Sequence, residues 1–267
     1  MSGQPPPGFD YALLLAHLGE LAARFDVEHQ ASCPSTNTEL LRRADAPAGS
    51  VLICDEQTAG RGRRGRSWTS AAGHSLTFSL RWRLPPGSAS SGLSLAVGVA
   101  VAQALEMLGV PAIGLKWPND IWLYGRKLGG VLVEATPERK NPAFIIGIGL
   151  NLSRPADWPA ALASISASLD EAGLRISREA LLAALLRQLH LCLSRFGEQG
   201  FSALSPAWNA HNALLGLPVT LSADHRQLRG LCGTVNAEGA LRLIDAEGIP
   251  HLITGGDLSL RLDTGAA

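Results

Sequence analysis

The chain has 267 residues, with 23 Lys and Arg balanced by 23 Asp and Glu, so its formal net charge is zero. This balance argues against a protein that binds nucleic acid through bulk positive charge, although it leaves room for a local basic patch. A hydrophobic fraction of 46% and a charged fraction of 17% disfavour disorder, and the apolar runs are too short and too interrupted to span a bilayer.

The N-terminal part of the chain predicts a short tail, two helices and a strand. Residues 1–9 are rich in Pro and Gly and carry neither the basic nor the apolar region of a secretion signal, so we expect them to be frayed. Apolar residues at helical spacing predict a helix over 10–25. Thr36 followed by Glu39 predicts a capping box that opens a second helix, and a short apolar strand follows at 51–54.

The middle of the chain alternates between helix and strand patterns. A polar loop rich in Gly and Arg covers 57–73. Alternating apolar residues over 75–84 predict a strand with one buried side, and small residues over 92–108 predict a closely packed helix. Gly125-Arg126 is expected to form a two-residue hairpin turn. Further strands are predicted at 112–117, 121–124, 127–134 and 143–152.

The C-terminal third begins with helical patterns and ends with a β pattern. The leucine spacing over 178–197 predicts a long helix, and a helical piece is expected at 203–213. From residue 217 short strands alternate with turn signals at Ala223-Asp224, Glu238-Gly239 and Glu247-Gly248, which indicates a small β-barrel of about 50 residues. The chain is therefore expected to be α+β, with helices on one side of a mostly antiparallel sheet and a C-terminal barrel.

An arginine-rich loop is the first candidate site. Residues 60–66 read Gly-Arg-Gly-Arg-Arg-Gly-Arg, and four like charges so close together repel each other, so the loop should be poorly ordered until an anion such as a triphosphate neutralises it. Trp68 could then close over a ligand. A solvated or RNA-contacting loop, with Trp68 as an anchor for the next strand, is the alternative.

Two further segments carry polar residues at strand ends. Lys116-Trp117-Pro118-Asn119-Asp120 offers oxygens suited to a phosphate-bound Mg²⁺, although this segment taken alone favours an ordinary Pro-Asn-Asp turn. In Arg126-Lys127-Leu128-Gly129-Gly130, the glycines would let a ligand approach the backbone. Ser35-Thr36-Asn37 and Gln57 supply the donors and acceptors that a neutral polar ring requires. Asn151 ends an apolar strand as either a turn or a ligand residue.

Together these motifs resemble one family. Their order and approximate spacing, with Gly147-Ile148-Gly149-Leu150-Asn151 and the C-terminal Gly255-Gly256-Asp257-Leu258-Ser259-Leu260-Arg261, are similar to those of biotin protein ligases. The resemblance implies a mixed, mostly antiparallel sheet of the type shared by class II aminoacyl-tRNA synthetases and biotin ligases, with a small SH3-like β-barrel at the C-terminus. The expected division is an N-terminal tail and helix at 1–30, a catalytic domain at 31–213 and the barrel at 214–267.

The resemblance also implies the reaction. Biotin and Mg·ATP give biotinyl-5′-AMP and pyrophosphate, and a lysine of a biotin carboxyl carrier domain then accepts the biotinyl group. The residues implied as catalytic are Lys127, Arg63 and Asp120. Biotin binding is implied for Ser35, Thr36, Asn37, Gln57, Gly60, Arg61, Gly62, Arg63, Trp68, Lys127 and Gly129. ATP binding is implied for Arg61, Arg63, Arg66, Lys116, Asn119, Lys127 and Asn151, with Asn119 also holding Mg²⁺.

The sequence also differs from the family pattern in places, and other functions stay open as alternatives. About 34 residues precede Ser35, too few for the N-terminal winged helix of many bacterial members, so a ligase-only protein with no DNA partner is expected. Pro34 and Asn212 stand where acidic residues are usual. A lipoate or octanoate ligase of the same fold and a non-catalytic RNA-binding module are the alternatives. Four scattered cysteines favour a reducing, cytoplasmic setting, and a monomer and a homodimer both remain open.

Overall fold

A seven-stranded mixed sheet forms the centre of the molecule. The computed structural model describes residues 8–138, 142–156, 158, 160–223, 226–254 and 258–263. Residues 1–7, Asp224 of one predicted turn, and Gly255-Gly256-Asp257 of the C-terminal motif lie outside the described residues. None of the described helices has the length and apolar content that a membrane crossing needs.

The elements follow the chain in this order. The helices are α1 Tyr11–Leu18, α2 Thr36–Arg42, α3 Leu93–Met107, α4 Ala160–Ala163, α5 Arg178–Gln199 and α6 Ser205–Ala210. The strands of the first sheet are β1 Asp26–Cys33, β2 Ser50–Gln57, β3 Ser75–Arg83, β4 Ile113–Lys116, β5 Asp120–Leu123, β6 Arg126–Ala135 and β7 Ala143–Asn151. The strands of the second sheet are β8 Pro218–Ala223, β9 Arg226–Val235, β10 Leu241–Ile244, β11 Pro250–Ile253 and β12 Leu258–Leu262.

The first sheet has the strand order β1-β2-β3-β7-β6-β5-β4. Only β1 and β2 run parallel; the other neighbours are antiparallel. One face carries the main core, where α3 and α5 pack together and α1 packs on α5. The helix predicted over 10–25 is shorter than expected, because Gly19 takes a left-handed φ of 59° and a 3₁₀ turn at Gly19–Arg24 follows it.

Helix α2 covers the opposite face of the sheet, so the helices do not all lie on one side as expected. The consequence is clearest in β3, where Thr77, Ser79 and Arg81 are as buried as the apolar residues between them. The prediction that this strand buries one side only is therefore wrong, because a helix of only two turns was enough to enclose its polar side.

The hairpin between β5 and β6 is present, but its turn is shifted by one residue. Tyr124 (φ 51°) and Gly125 (φ 74°) occupy the two central positions, and Arg126 already pairs with Leu123. Positive φ at both positions is the signature of a type I′ turn, which suits the twist of the strands. The predicted Gly125-Arg126 turn placed the glycine first, whereas it is second.

The C-terminal β unit is a five-stranded antiparallel sheet with the order β11-β10-β9-β8-β12. It docks beside the first sheet through specific hydrogen bonds. The buried indole of Trp117 donates to the Gly239 carbonyl at 3.2 Å, and the Asn212 side chain donates to the Gly233 carbonyl at 2.9 Å. These contacts place strand β12 next to the end of β4, where the functional cleft lies.

Candidate active site

One cleft brings together most of the residues predicted from the motifs. The predicted residues in its wall are Ser35, Thr36, Asn37, Gln57, Arg61, Gly62, Arg63, Arg66, Trp68, Lys116, Asn119, Asp120 and Lys127. Three predicted residues, Gly60, Gly129 and Asn151, are buried and do not line the cleft. Segments separated by up to about ninety residues thus converge on one surface, as a shared ligand site requires.

The start of α2 forms one end of the cleft, and here the capping prediction is wrong. Thr36 is the first helical residue, Ser35 is the N-cap, and neither forms the predicted side-chain cap. The side chain of Gln57 caps this helix end instead. Its oxygen accepts from the Thr36 amide at 2.8 Å and from the Thr36 hydroxyl at 3.2 Å. Gln57 also belongs to the cleft wall, and its amide nitrogen would lie 3.2 Å from a Cβ atom at Gly60.

Two residues behind this end were missed by the sequence analysis. The Ser79 hydroxyl lies 2.6 Å from Asn37 Oδ1 and 2.7 Å from the Thr36 hydroxyl. The Asn37 amide nitrogen donates to Glu134 at 2.9 Å and to the Leu132 carbonyl at 3.2 Å. Ser79 was missed because its strand pattern placed it on an exposed side, and Glu134 because a single acidic residue late in a strand carries no motif.

Two backbone hydrogen bonds close the base of the arginine-rich loop, here called its neck, which comprises residues 60–62 and 66–68. Gly62 donates to the Arg66 carbonyl at 2.7 Å, and Trp68 donates to the Gly60 carbonyl at 2.8 Å. The two arginines nearest the neck diverge. Arg61 makes a two-pronged ion pair with Glu134, at 2.8 and 3.2 Å, whereas Arg63 points to Asn119 Oδ1, 3.4 Å away. The loop therefore reaches both ends of the cleft.

Two glycines of β7 let side chains lie directly on the sheet. A Cβ atom at Gly147 would come within 2.2 Å of Asn37 Oδ1, and one at Gly149 within 2.5 Å of the Trp68 indole. The indole nitrogen of Trp68 is buried and has no hydrogen-bond partner among the described residues. The Gly-Ile-Gly segment thus allows close packing in the cleft wall, with the Trp68 indole lying against Gly149.

Two lysines share one carboxylate at the other end of the cleft. Lys127 Nζ lies 2.7 Å from Asp120 Oδ1, and Lys116 Nζ lies 3.9 Å from Asp120 Oδ2 and 4.9 Å from the centre of the Trp122 ring. Burial lowers the pKa of Lys116; Asp120 opposes this shift and the positive charge of Lys127 adds to it. This end is therefore cationic and suited to anionic ligand groups.

The backbone explains why Lys127 reaches into the cleft. Asp120 pairs with Gly130 across the β5–β6 hairpin, and Lys127 Nζ lies over Gly130, 3.5 Å from where a Cβ atom would stand. On its other side the Lys127 amide donates to the Ile165 carbonyl at 3.0 Å, and its carbonyl accepts from Ala167 at 2.8 Å. Asn151 supports the same segment by donating to the Ala167 carbonyl at 2.9 Å.

The oxygens at this end suit a magnesium ion that arrives with phosphate. Asn119 donates to the Val131 carbonyl at 2.8 Å through its amide nitrogen, and its Oδ1 accepts from Arg63 at 3.4 Å. The Asp120 carboxylate belongs to the same part of the cleft wall. Among the described residues no group of three or more His, Cys, Asp or Glu could hold a metal by itself. Mg²⁺ is usually bound in this way, by one or two protein oxygens together with substrate phosphates.

The second sheet also contributes to the cleft. Leu258, Ser259 and Leu260 of β12 lie in its wall, although they are far from the other motifs in sequence. The arrangement as a whole places the neutral donors and acceptors of α2 at one end and the cationic side chains of Arg63, Arg66, Lys116 and Lys127 at the other. It can therefore hold a polar, uncharged ring at one end and bring a carboxylate and a phosphate together at the other.

Comparison with known proteins identifies this arrangement at the level of a family. Residues 27–151 match the model of the biotin/lipoate A/B protein ligase family. The bifunctional ligase/repressor BirA of Escherichia coli is 36% identical over 85% of this chain and 71% of its own length. The biotin–[acetyl-CoA-carboxylase] ligase of Paracoccus denitrificans is 34% identical over 78% of this chain and 90% of its own length.

Solved structures agree with this assignment. The biotin protein ligase of Aquifex aeolicus in complex with biotin and ATP superposes with a TM-score of 0.79 at 28% identity, over 89% of this chain and 99% of the other. The chain therefore belongs to the biotin protein ligases of the biotin/lipoate A/B protein ligase family. The predicted α+β fold with a mostly antiparallel sheet is confirmed.

Proposed function

We propose that the protein uses ATP to attach biotin to a lysine of a biotin carboxyl carrier domain, through biotinyl-5′-AMP. One observation carries the proposal: the cationic group of Lys127, Lys116 and Arg63 faces the neutral polar end of α2 across a single cleft. Relatives named as biotin ligases support it, as does the biotin- and ATP-bound structural neighbour.

Biotin occupies the end formed by α2 and the loop neck. Its ureido ring needs both donors and acceptors, and the hydroxyls of Ser35 and Thr36 and the Gln57 amide nitrogen supply them. Trp68, which lines the cleft wall, covers the ring system with its large aromatic surface. The biotin carboxylate then points along the cleft towards Lys127.

ATP occupies the cationic end. Lys116, Arg63 and Arg66 face the phosphates, and Asn119 Oδ1 with Asp120 holds the accompanying Mg²⁺, which neutralises phosphate charge when it is bound. Asn151 acts on the ATP side by supporting the segment that pairs with Lys127. The ammonium of Lys127 lies between the two substrates.

The chemistry follows from electrostatics. A carboxylate attacking the α-phosphate brings two anions together, and Lys127 lowers the barrier by interacting with both of them. Asp120 orients the Lys127 ammonium through the contact at 2.7 Å. Arg61 and Arg63 contact the ligands as the loop closes, and closure protects the mixed anhydride from hydrolysis until the acceptor lysine attacks it.

The remaining partner predictions belong to the same proposal. The acceptor is a carboxyl carrier domain of a biotin-dependent carboxylase, and the setting is the cytoplasm, where ATP and such carboxylases are available. A homodimer stays a prediction that sedimentation would test. The lipoate ligase and RNA-binding alternatives are not favoured, because the relatives are named as biotin ligases and the net charge is zero.

The direct test is incubation of the protein with ATP, biotin and a carboxyl carrier domain, read by the mass of the carrier. We expect one added biotinyl group, dependent on all three components, and none when lipoate replaces biotin. The variant Lys127→Ala should fold normally yet form no adenylate, measured by pyrophosphate release. Arg42→Ala removes an exposed cation of α2 and serves as the control. Normal pyrophosphate release by Lys127→Ala would contradict the proposed role.

A further inference from the structure

We propose that Glu134 is a positioning residue for biotin, which fixes both the start of α2 and the neck of the arginine-rich loop. The proposal rests on the proposed function, since it assigns Glu134 to the biotin end of that site. Glu134 belongs to none of the motifs that identify the cleft, and it contacts two residues that do.

The first contact is with the loop. Glu134 Oε1 lies 2.8 Å from Arg61 Nη2, and Oε2 lies 3.2 Å from Arg61 Nη1. A two-pronged pair fixes the orientation of both planar groups, which a single contact would not do. Arg61 lies in the neck, where it bridges Ser67, between the two hydrogen bonds that close the loop. The ion pair therefore ties the neck, and with it Trp68, to strand β6.

The second contact is with α2. Glu134 Oε2 also accepts from Asn37 Nδ2 at 2.9 Å, and the other Asn37 amide proton goes to the Leu132 carbonyl. Since Asn37 Oδ1 lies 2.6 Å from the Ser79 hydroxyl, the Asn37 side chain is held from three directions. Asn37 thus anchors the first turn of α2, and the carboxylate determines where Ser35 and Thr36 present their hydroxyls.

Charge gives a reason for a carboxylate at this position. Four arginines crowd into residues 61–66, and Glu134 neutralises the one at the base while Arg63 extends towards Asn119. The loop can then close over a ligand from a fixed base, with less repulsion between neighbouring arginines. The Glu134 side chain is 22% exposed and that of Arg61 is 46% exposed, so the solvent reaches the pair and its strength depends on the two-pronged geometry.

The inference predicts a selective defect. Glu134→Gln keeps an acceptor for Asn37 but removes the charge that holds Arg61. We expect the KM for biotin to rise about tenfold, the size expected for a charge-assisted hydrogen bond, and biotinyl-5′-AMP to dissociate faster. The KM for ATP should change less than twofold, because the lysine end of the cleft is untouched. A residue that only stabilised the fold would move both constants together.

The control is Glu138→Gln. Glu138 makes the same kind of pair, with Arg81 and Arg83 of β3, and it lies outside the cleft wall, so its loss should leave both KM values unchanged. The variant Arg61→Gln removes the other partner of the Arg61–Glu134 ion pair. If Glu134 acts through Arg61, the double variant Arg61→Gln/Glu134→Gln should be no worse for biotin than Arg61→Gln alone.

The experiment measures both KM values, the rate of adenylate release and the melting temperature for all five proteins. An unchanged biotin KM in Glu134→Gln, an equal rise in both KM values, or additive effects in the double variant would overturn the inference. These results are distinct from failure of the proposed function, which would appear as a wild-type protein that transfers no biotin.

Discussion

Gly149 in strand β7 offers a direct test of the cleft wall. A Cβ atom at this position would lie 2.5, 2.6 and 2.9 Å from Cε2, Cζ2 and Nε1 of Trp68. Carbon atoms in ordinary contact are about 3.5–4.0 Å apart, so in Gly149→Ala the indole must retreat by about 1 Å. Overpacking of this kind typically costs about 1–3 kcal/mol, corresponding to about 5- to 150-fold in an equilibrium constant.

The cost should appear in binding rather than in folding. Trp68 lies in a loop on the cleft wall and can move away from the sheet. This movement would relieve the overlap with the new Cβ atom, but the indole would then no longer cover the ligand. We therefore expect Gly149→Ala to retain the wild-type melting temperature to within a few degrees. Its affinity for biotin should fall at least fivefold, as measured by titration calorimetry, and the adenylate should leak faster.

Gly98→Ala is the matched control. Its Cβ would lie 3.4 Å from Leu115 Cδ2 in the core under α3, and alanine favours a helix over glycine by about 1 kcal/mol. Biotin affinity in this variant should equal that of the wild type. Undiminished biotin binding by Gly149→Ala would refute the placement of Trp68 over the ligand.

Three further variants test the loop, the cationic end and the docking of the second sheet. Arg63→Gly should still bind biotin but release the adenylate faster, seen as free biotinyl-5′-AMP in the filtrate; retention equal to the wild type would refute the role of the loop. Because burial lowers the pKa of Lys116, this lysine loses its charge at a lower pH than a free lysine. The kcat/KM for ATP should therefore fall on the alkaline side, and Lys116→Arg, which stays charged, should extend that limb; identical profiles would contradict the role. Trp117→Phe leaves the Gly239 carbonyl without its donor, so the free energy of unfolding should drop by about 1–3 kcal/mol, measured by denaturant titration; an unchanged value would mean that this contact does not hold the second sheet.

The sequence predicted best those features that depend on local patterns. The leucine stripe of α5 predicted its helix almost to the residue, because apolar residues that repeat with the helical period over several turns fit a helix and do not fit a strand. The β5–β6 hairpin was predicted from its turn residues, but the turn itself was placed one residue too late, because Tyr124 adopts a positive φ that is unusual for a non-glycine residue.

Features that depend on packing between distant segments could not be predicted. Ser79 was expected to face the solvent, and it is buried because α2 crosses that face of the sheet. Thr36 was expected to cap its helix, but Gln57, brought in by the parallel β1–β2 pairing, provides a better acceptor. The wall residues of β12 depend on how the second sheet docks, which no local pattern encodes.

The central claim is that a carboxylate and an α-phosphate meet at the ammonium of Lys127. A crystal structure with biotin and a non-hydrolysable ATP analogue tests this most directly. We expect the ureido ring beside Thr36 and Gln57, the triphosphate beside Lys116 and Asn119, and the Lys127 ammonium within hydrogen-bond distance of both reacting groups. Ligands bound outside this cleft, or a Lys127 side chain that contacts neither of them, would contradict the account.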